Sequence, residues 1–344
     1  MQGQAVIING AFGIDHLDVV SRQERKPGPG EALVRIESVS LNRRDVLLAQ
    51  GIYNPKQKLP IVPCSDGAGI VVETGAGCSR VKAGDRVVIH MFPGWISGEP
   101  DRDKLATGLG GPGGDGTLRQ YMTINEQALM VLPESLSVDA AATLPCAALT
   151  AWSAIVESGG VRAGDHVMVQ GTGGVSLFAL QFAKMCGAHV VATTSSSYKE
   201  ERLRALGADD VVNYRTHSDW AVRARDLAGG RLDLIVDVGG SDTLDACLRV
   251  IRPGGTMALI GVLSGARAEI NLPLVVMRQV RLQGVTCGNR ESFEAMLRAI
   301  SQHGIDPVID THYALDGARQ AFARMAESAH IGKIVSHPHE ISAR

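Results

Sequence analysis

The alternation of apolar and polar positions changes character part-way along the chain. From Ala5 to about Thr123 the apolar residues come in short β-branched runs divided by glycine and proline, among them Ala5 to Ile8, Ala32 to Ile36, Gly69 to Glu73 and Arg86 to Ile89. Such runs predict a mostly antiparallel β half. From about Asp165 the rhythm becomes strand, glycine turn, helix, strand, which predicts parallel βαβ units. Strands are expected at 166–170, 189–193, 211–212, 232–236, 256–260 and 281–286, with helices at 175–186, 200–206 and 244–250. Six such strands suffice for a doubly wound sheet. The glycine-rich stretch Gly94 to Gly116, with Pro100 and Pro112, lacks apolar periodicity and is expected to be a mobile surface loop, either a lid or a passive linker.

The most informative segment is HVMVQGTGGVSLFALQFAK, residues 166–184. Here Gly171, Thr172, Gly173, Gly174 and Val175 join a predicted strand to a predicted helix. Glycines in that context turn the chain sharply and bring backbone N–H groups against a pyrophosphate at the positive end of the helix. The third glycine of the usual dinucleotide fingerprint is replaced by Ser176, small enough to keep helix and strand close. At the end of the second strand, where an NAD site places an acid against the ribose 2′-hydroxyl, this chain has Thr194, followed by Ser195, Ser196, Ser197, Tyr198 and Lys199. Hydroxyls and an ammonium can hold a 2′-phosphate by charge-assisted hydrogen bonds, so NADPH is the expected cofactor; the alternative is that the serines cap the next helix and Lys199 is solvated.

With 344 residues, 45% of them hydrophobic, the chain is long enough for two domains. A formal charge of −2 and a pI near 6.6 provide no positive field for nucleic acid or anionic membrane, so a small-molecule substrate is expected and nucleic acid is not. The six cysteines are scattered without a C-x-x-C pair, which predicts free thiols in a reducing compartment. The N-terminal residues lack the pattern of a signal peptide and no apolar run is long enough for a membrane span, so the cytoplasm is the expected location.

A colinear set of motifs resembles the zinc-free branch of the medium-chain dehydrogenase/reductases, including quinone oxidoreductases and zinc-lacking alcohol dehydrogenase-like proteins. It comprises SLNRRD at 40–45, Gly51-Ile52-Tyr53, LPIVPCSDGAGIVVETGAG at 59–77, TLPCAALTAW at 143–152, the GTGGVS turn, VVNY at 211–214, RPGG at 252–255 and Gly332-Lys333-Ile334-Val335. The resemblance implies an α/β protein in which a GroES-like β catalytic domain (1–125 and 290–344) carries an inserted Rossmann NADP-binding domain (126–289). It further implies a homodimer, or a tetramer, joined near Arg281 to Thr286. Tyr214 and Lys199 would hold the 2′-phosphate, and Thr150, Cys146, Gly239, Gly261 and Lys333 would border or bind the cofactor. Zinc alcohol dehydrogenases place a Cys, a His and a Glu where this chain has Asn42, Ser65 and Asp66, leaving Cys146 as the one matching ligand, so no zinc is expected.

Without a Lewis acid, hydride transfer to an activated C=C bond of an enone or enal, or to a quinone, is the expected reaction. Tyr53 is the candidate donor to the developing enolate, since related zinc-free reductases carry a tyrosine there; its alternative is packing. Asn42 is the second donor candidate, and Asp45 is expected to orient Asn42 or Arg44 or to form an ordinary ion pair. Arg43 and Arg44 are expected to form a solvated surface pair, with anion binding as the lesser alternative. His90, Met91, Phe92 and Trp95 read equally as pocket wall or core. Two rival functions remain: a zinc-independent alcohol dehydrogenase or carbonyl reductase, and a crystallin-like nucleotide-binding protein with RNA or protein partners.

Overall fold

The computed structural model describes residues 1–341, which divide into two compact units: residues 1–147 with the chain from Asn289 onward, and residues 148–288.

The first unit is built on a seven-stranded mixed sheet in the order Ile309–Ala314, Lys333–His337, Glu31–Leu41, Asp66–Thr74, Arg86–Ile89 and Leu129–Val131, with Tyr121–Asn125 pairing Glu31–Leu41 as well. All pairs are antiparallel except Ile309–Ala314 with Lys333–His337, which are parallel. That exception requires a crossover. It is supplied by the helix Ala318–Glu327, whose Ala318, Ala321, Phe322 and Met325 recur at helical spacing and are buried. They join Ile36, Leu41, Leu48, Ile89 and Leu129 in one apolar core. A two-stranded antiparallel ribbon, Gln2–Ile8 with Leu17–Gln23, adds Ala5, Val6 and Ile8 to it.

The second unit is a six-stranded parallel sheet in the order Asp210–Asn213, His189–Thr194, His166–Gln170, Leu234–Asp237, Thr256–Leu259, Arg281–Gly284. Numbered along the chain this is 3-2-1-4-5-6, the Rossmann order, and the direction of winding reverses between His166–Gln170 and Leu234–Asp237. Five of these strands are buried along most of their length, as expected of a sheet covered on both faces.

The units part elsewhere than expected. Residues 126–147 belong to the mixed-sheet unit, because Leu129–Val131 is a strand of its sheet and the helix Val138–Ala142 packs on strands Glu31–Leu41 and Asp66–Thr74. Most of the helices were missing from the sequence reading, for differing reasons. Arg290–His303 carries a legible signature, an Asn289 cap accepting from the Ser292 N–H and Gly304 in the left-handed region after the last turn. Trp220–Leu227 is less visible, since its buried positions are Ala221 and Ala224, too small to mark an apolar stripe. Leu272–Val276 has no buried residue at all. The stretch 94–116, expected to be irregular, contains the helix Arg102–Ala106, capped by the Asp101 carboxylate on the Lys104 N–H. Backbone bonds from Leu109 N–H to the Met91 carbonyl and from Gly116 N–H to the Val62 carbonyl pin it within its unit.

Gly69, opposite Ile36 in the central strand pair, is required by close approach: a Cβ there would lie 2.0 Å from the Arg35 carbonyl oxygen. Gly69→Ala is expected to destabilise the protein by about 2–3 kcal/mol through strand separation, measured as a lowered urea midpoint.

Candidate active site

In the parallel-sheet unit the glycine turn is formed as its sequence requires. Gly171 has φ +78° and donates its N–H to the Thr193 carbonyl at 2.9 Å, and Gly173 caps the helix Gly174–Met185. A Cβ on Gly173 would meet nothing within 4 Å, so the space over the turn is open to a ligand. Ser176 does more than stay small: its hydroxyl, buried, donates to the Gln170 carbonyl at 2.6 Å and fastens the helix to the strand that precedes it.

Gly239 and Gly261 follow the neighbouring strands Leu234–Asp237 and Thr256–Leu259 at the same carboxyl edge of the sheet. Asp237, which the sequence reading missed, organises that edge. Its Oδ1 accepts from the Gly239 N–H at 2.8 Å, the Gly240 N–H at 3.2 Å and the Thr243 hydroxyl at 2.9 Å. Burial pushes its carboxyl up from the ordinary range, against those three donors. Gly261 is needed for contact, since a Cβ there would sit 2.2 Å from the Val238 carbonyl oxygen.

At the end of the second strand, Thr194 is buried and its Oγ1 accepts from the Ser196 N–H at 3.3 Å, while the Tyr214 N–H donates to the Thr194 carbonyl at 2.9 Å. These bonds gather Thr194, Ser195, Ser196 and Tyr214 at adjacent strand ends. Ser196 stands at the cap of the helix Ser197–Ala205 without a side-chain capping bond, so its hydroxyl is not spent on the helix. Lys199 lies in the first turn of that helix, and the next residue, Glu200, accepts from the Asn213 amide at 3.0 Å. Thr150 is buried in the helix Leu149–Trp152 of the same unit.

The mixed-sheet unit holds a buried group of charges. Lys333, a cofactor residue by the resemblance, is 2% exposed, with its ammonium donating to the Leu41 carbonyl at 2.8 Å and to Asn42 Oδ1, and lying 3.7 Å from Asp66 Oδ2. Its position follows from strand pairing, which sets Ile334 opposite Leu41. An ammonium has only donors, so the Asn42 amide must present its oxygen, and its Nδ2 is left buried with no partner. Asn42 caps the helix Arg43–Ala49, and its own N–H donates to Asp45 Oδ2 at 2.8 Å. Asp66 also receives the Ser65 hydroxyl at 2.8 Å and the Cys146 N–H at 3.2 Å.

Asp45 contacts both of the residues it was expected to orient, Asn42 through its backbone N–H rather than its amide. Besides Asn42 it faces Arg44, at 3.6 Å. Arg44 is no solvated surface residue: only 11% of its side chain is exposed, it donates to the Leu109 carbonyl at 3.1 Å, and its guanidinium lies 5.1 Å from the Tyr53 ring centroid. Burial opposes its charge, but Asp45, Tyr53 and Cys146 outweigh that and hold the guanidinium above its ordinary value. Arg43 donates to the Ala326 carbonyl at 3.0 Å. Tyr53 itself is 45% exposed, joined to Arg44 rather than to Asn42. His90, Met91, Phe92 and Trp95 are all buried, the His90 Nδ1 bonded to the Phe92 backbone.

Burial, reinforced by Asp66 and resisted by Arg44, pushes the Asp45 carboxyl up to about 6. The native state thus keeps a proton that the unfolded chain, with an aspartate near about 3.9, releases earlier. The stability this group supplies is complete below about pH 4 and is lost as the pH rises through about 6. Asp45→Asn should therefore gain more stability than wild type between those pH values, by on the order of 2–3 kcal/mol, in urea midpoints taken at half-unit steps.

Two family profiles match the chain: the alcohol dehydrogenase GroES-like domain over residues 28–134 and the zinc-binding dehydrogenase over residues 174–302. A zinc-type alcohol dehydrogenase-like protein of Schizosaccharomyces pombe is 36% identical over 318 residues, 90% of this chain and 92% of that one. A chloroplastic quinone-oxidoreductase of Triphysaria versicolor is 28% identical over 342 residues, 96% of this chain and 95% of its own. Among solved structures, an NAD-dependent alcohol dehydrogenase superposes with a TM-score of 0.88 at 34% identity, covering 97% of this chain and 99% of that one.

Proposed function

The chain belongs to the medium-chain dehydrogenase/reductase superfamily of NAD(P)-dependent oxidoreductases, and we propose that it transfers hydride from NADPH to an activated C=C bond or a quinone without zinc. The observation that carries this reading is the Lys333 ammonium. It engages Asn42 Oδ1 and lies beside Asp66, two of the positions where zinc enzymes have ligands. A catalytic zinc takes about three protein ligands with an open position, and an ammonium among them repels a divalent ion. The donor set does not fit zinc.

NADPH, when bound, supplies the hydride. The turn Gly171 to Val175 would receive its pyrophosphate, Gly239 and Gly261 would border the cofactor at the neighbouring strand ends, and Thr194, Ser195, Ser196, Lys199 and Tyr214 would hold the 2′-phosphate. In the catalytic unit, Tyr53 would donate to the oxygen on which charge builds, its ring set by Arg44, and the unpaired Asn42 amide would add a second donor. Asp45 positions both by bonding the Asn42 N–H and facing Arg44. Zinc-independent carbonyl reduction is the second reading, favoured by the alcohol dehydrogenase relatives.

A second copy of the chain is the proposed partner. Leu272, Val276 and Met277 are exposed beside Arg281–Gly284, the strand that ends the parallel sheet with one edge unpaired. Pairing across such an edge would cover both. All six cysteines are free thiols, which supports a reducing compartment such as the cytoplasm.

The deciding experiment is stopped-flow NADPH oxidation by chelator-treated enzyme with a 2-enone, a benzoquinone and a simple aldehyde, each product identified by mass. Saturated ketone or hydroquinone is expected. Alcohol as the sole product, or turnover only after added zinc, would overturn the proposal. Tyr53→Phe should lower kcat by about 100-fold with NADPH affinity unchanged. Lys199→Ala should weaken NADPH by about 10-fold and leave NADH unaffected, in fluorescence titrations with both nucleotides.

A further inference from the structure

Away from the residues described so far, the mixed-sheet unit brings two imidazoles and a carboxylate from three elements to one point. We propose that Asp139, His312 and His337 form a surface site for one divalent first-row transition-metal ion.

Strand pairing creates the juxtaposition. Ala314 lies opposite His337 in the parallel pair, and His312, two residues before Ala314, shares its face. The two rings are 5.2 Å apart between centroids. Asp139 enters from the first turn of the helix Val138–Ala142. Its Oδ1 lies 3.0 Å from His337 Nε2 and its Oδ2 3.9 Å from His312 Nδ1. One donor atom from each of the three residues falls within 4.8 Å of the others. Donors around a tetrahedral ion at ordinary Zn–N and Zn–O lengths stand about 3.3 Å apart, so a small inward turn of the His312 ring closes the set.

A plain ion pair would account for one imidazole on Asp139. It does not account for two imidazoles converging on that carboxylate, which repel once both are protonated. Nor does it use the fourth group. Glu340 Oε1 lies 3.3 Å from His337 Nδ1, the nitrogen turned away from Asp139. A carboxylate accepting the Nδ1 proton fixes the tautomer and presents the Nε2 lone pair, the usual outer support of a metal-bound histidine. His312 and Glu340 are exposed, which leaves the remaining coordination positions to water. Imidazole with carboxylate suits Zn(II), Ni(II), Co(II) or Cu(II) rather than Mg(II) or Ca(II). Because the donors come from a helix and two strands, the ion would clasp these elements and stabilise the native state by mass action.

Ni(II) is the probe. Tag-free protein freed of metal with EDTA, then exchanged into buffer, is titrated by calorimetry, with thermal melting in parallel. Wild type should bind one equivalent and melt higher with Ni(II). His312→Ala and His337→Ala should each weaken binding at least tenfold, and Glu340→Gln by a similar factor through the outer contact. Cys146→Ser and His189→Ala should bind as wild type does. Failure of wild type to bind at millimolar Ni(II), or undiminished affinity in both histidine variants, would overturn the proposal. If the alanine variants melt early without metal, Asp139→Asn removes the charged donor at nearly constant shape and must show the same loss.

Discussion

The interaction on which the mixed-sheet unit depends is the burial of one ammonium. Withdrawing Lys333 from water costs several kcal/mol, and that cost is offset only where acceptors surround the charge. Here the Leu41 carbonyl, the Asn42 amide oxygen and the Asp66 carboxylate do so. Each acceptor fixes a different piece of backbone: the end of the long strand, the cap of the helix Arg43–Ala49, and the start of the next strand. With Arg44 and Asp45 alongside, the cluster above about pH 6 contains two cations and two carboxylates, so no net charge is buried there. The same bond decides which way the Asn42 amide faces and so leaves a donor unused. An unsatisfied buried donor is expensive in a structural role, and it has value where charge is to develop during a reaction.

The legible parts of this chain were those with short-range physical signatures. The parallel sheet follows from apolar runs alternating with glycine turns, and Gly171 to Ser176 could be assigned to their turn because strand, turn and helix are contiguous. Where the reading failed, the deciding contact was distant or weakly marked. Lys333 meets Asn42 across 291 positions, a pairing no local pattern contains. Arg44 looked like half of a solvated pair because the Leu109 carbonyl that accepts from it lies in a glycine-rich stretch without a periodic signal. Trp220–Leu227 hid because alanine marks a buried face weakly. The division of the chain was misplaced because Leu129–Val131, only three residues long, is a strand by virtue of its partner Arg86–Ile89.

Ser176 and Asp237 show the two ways the carboxyl edge of the parallel sheet is held. A hydroxyl to the Gln170 carbonyl joins helix to strand, and a carboxylate gathers three donors of the following turn. Only the first had a counterpart in a recognised fingerprint, so only its position was noticed in the sequence. Asp237 was an acid at the end of a strand, and its function became visible when the turn after it folded back.

The discontinuity of the mixed-sheet unit has a consequence for how the chain emerges from the ribosome. Residues 148–288 are contiguous and can complete their fold as soon as they are made. The first 147 residues cannot: the backbone edge at Val39 to Leu41 has to await Ile334 to Ser336, and Asn42 and Asp66 have to await the Lys333 charge. At ordinary translation rates that interval is roughly 10–40 s. For that time the nascent chain carries an open strand edge, an Asp66 carboxylate without its cation and an Asn42 amide oxygen without its donor, a state that chaperones, rather than the finished fold, must protect.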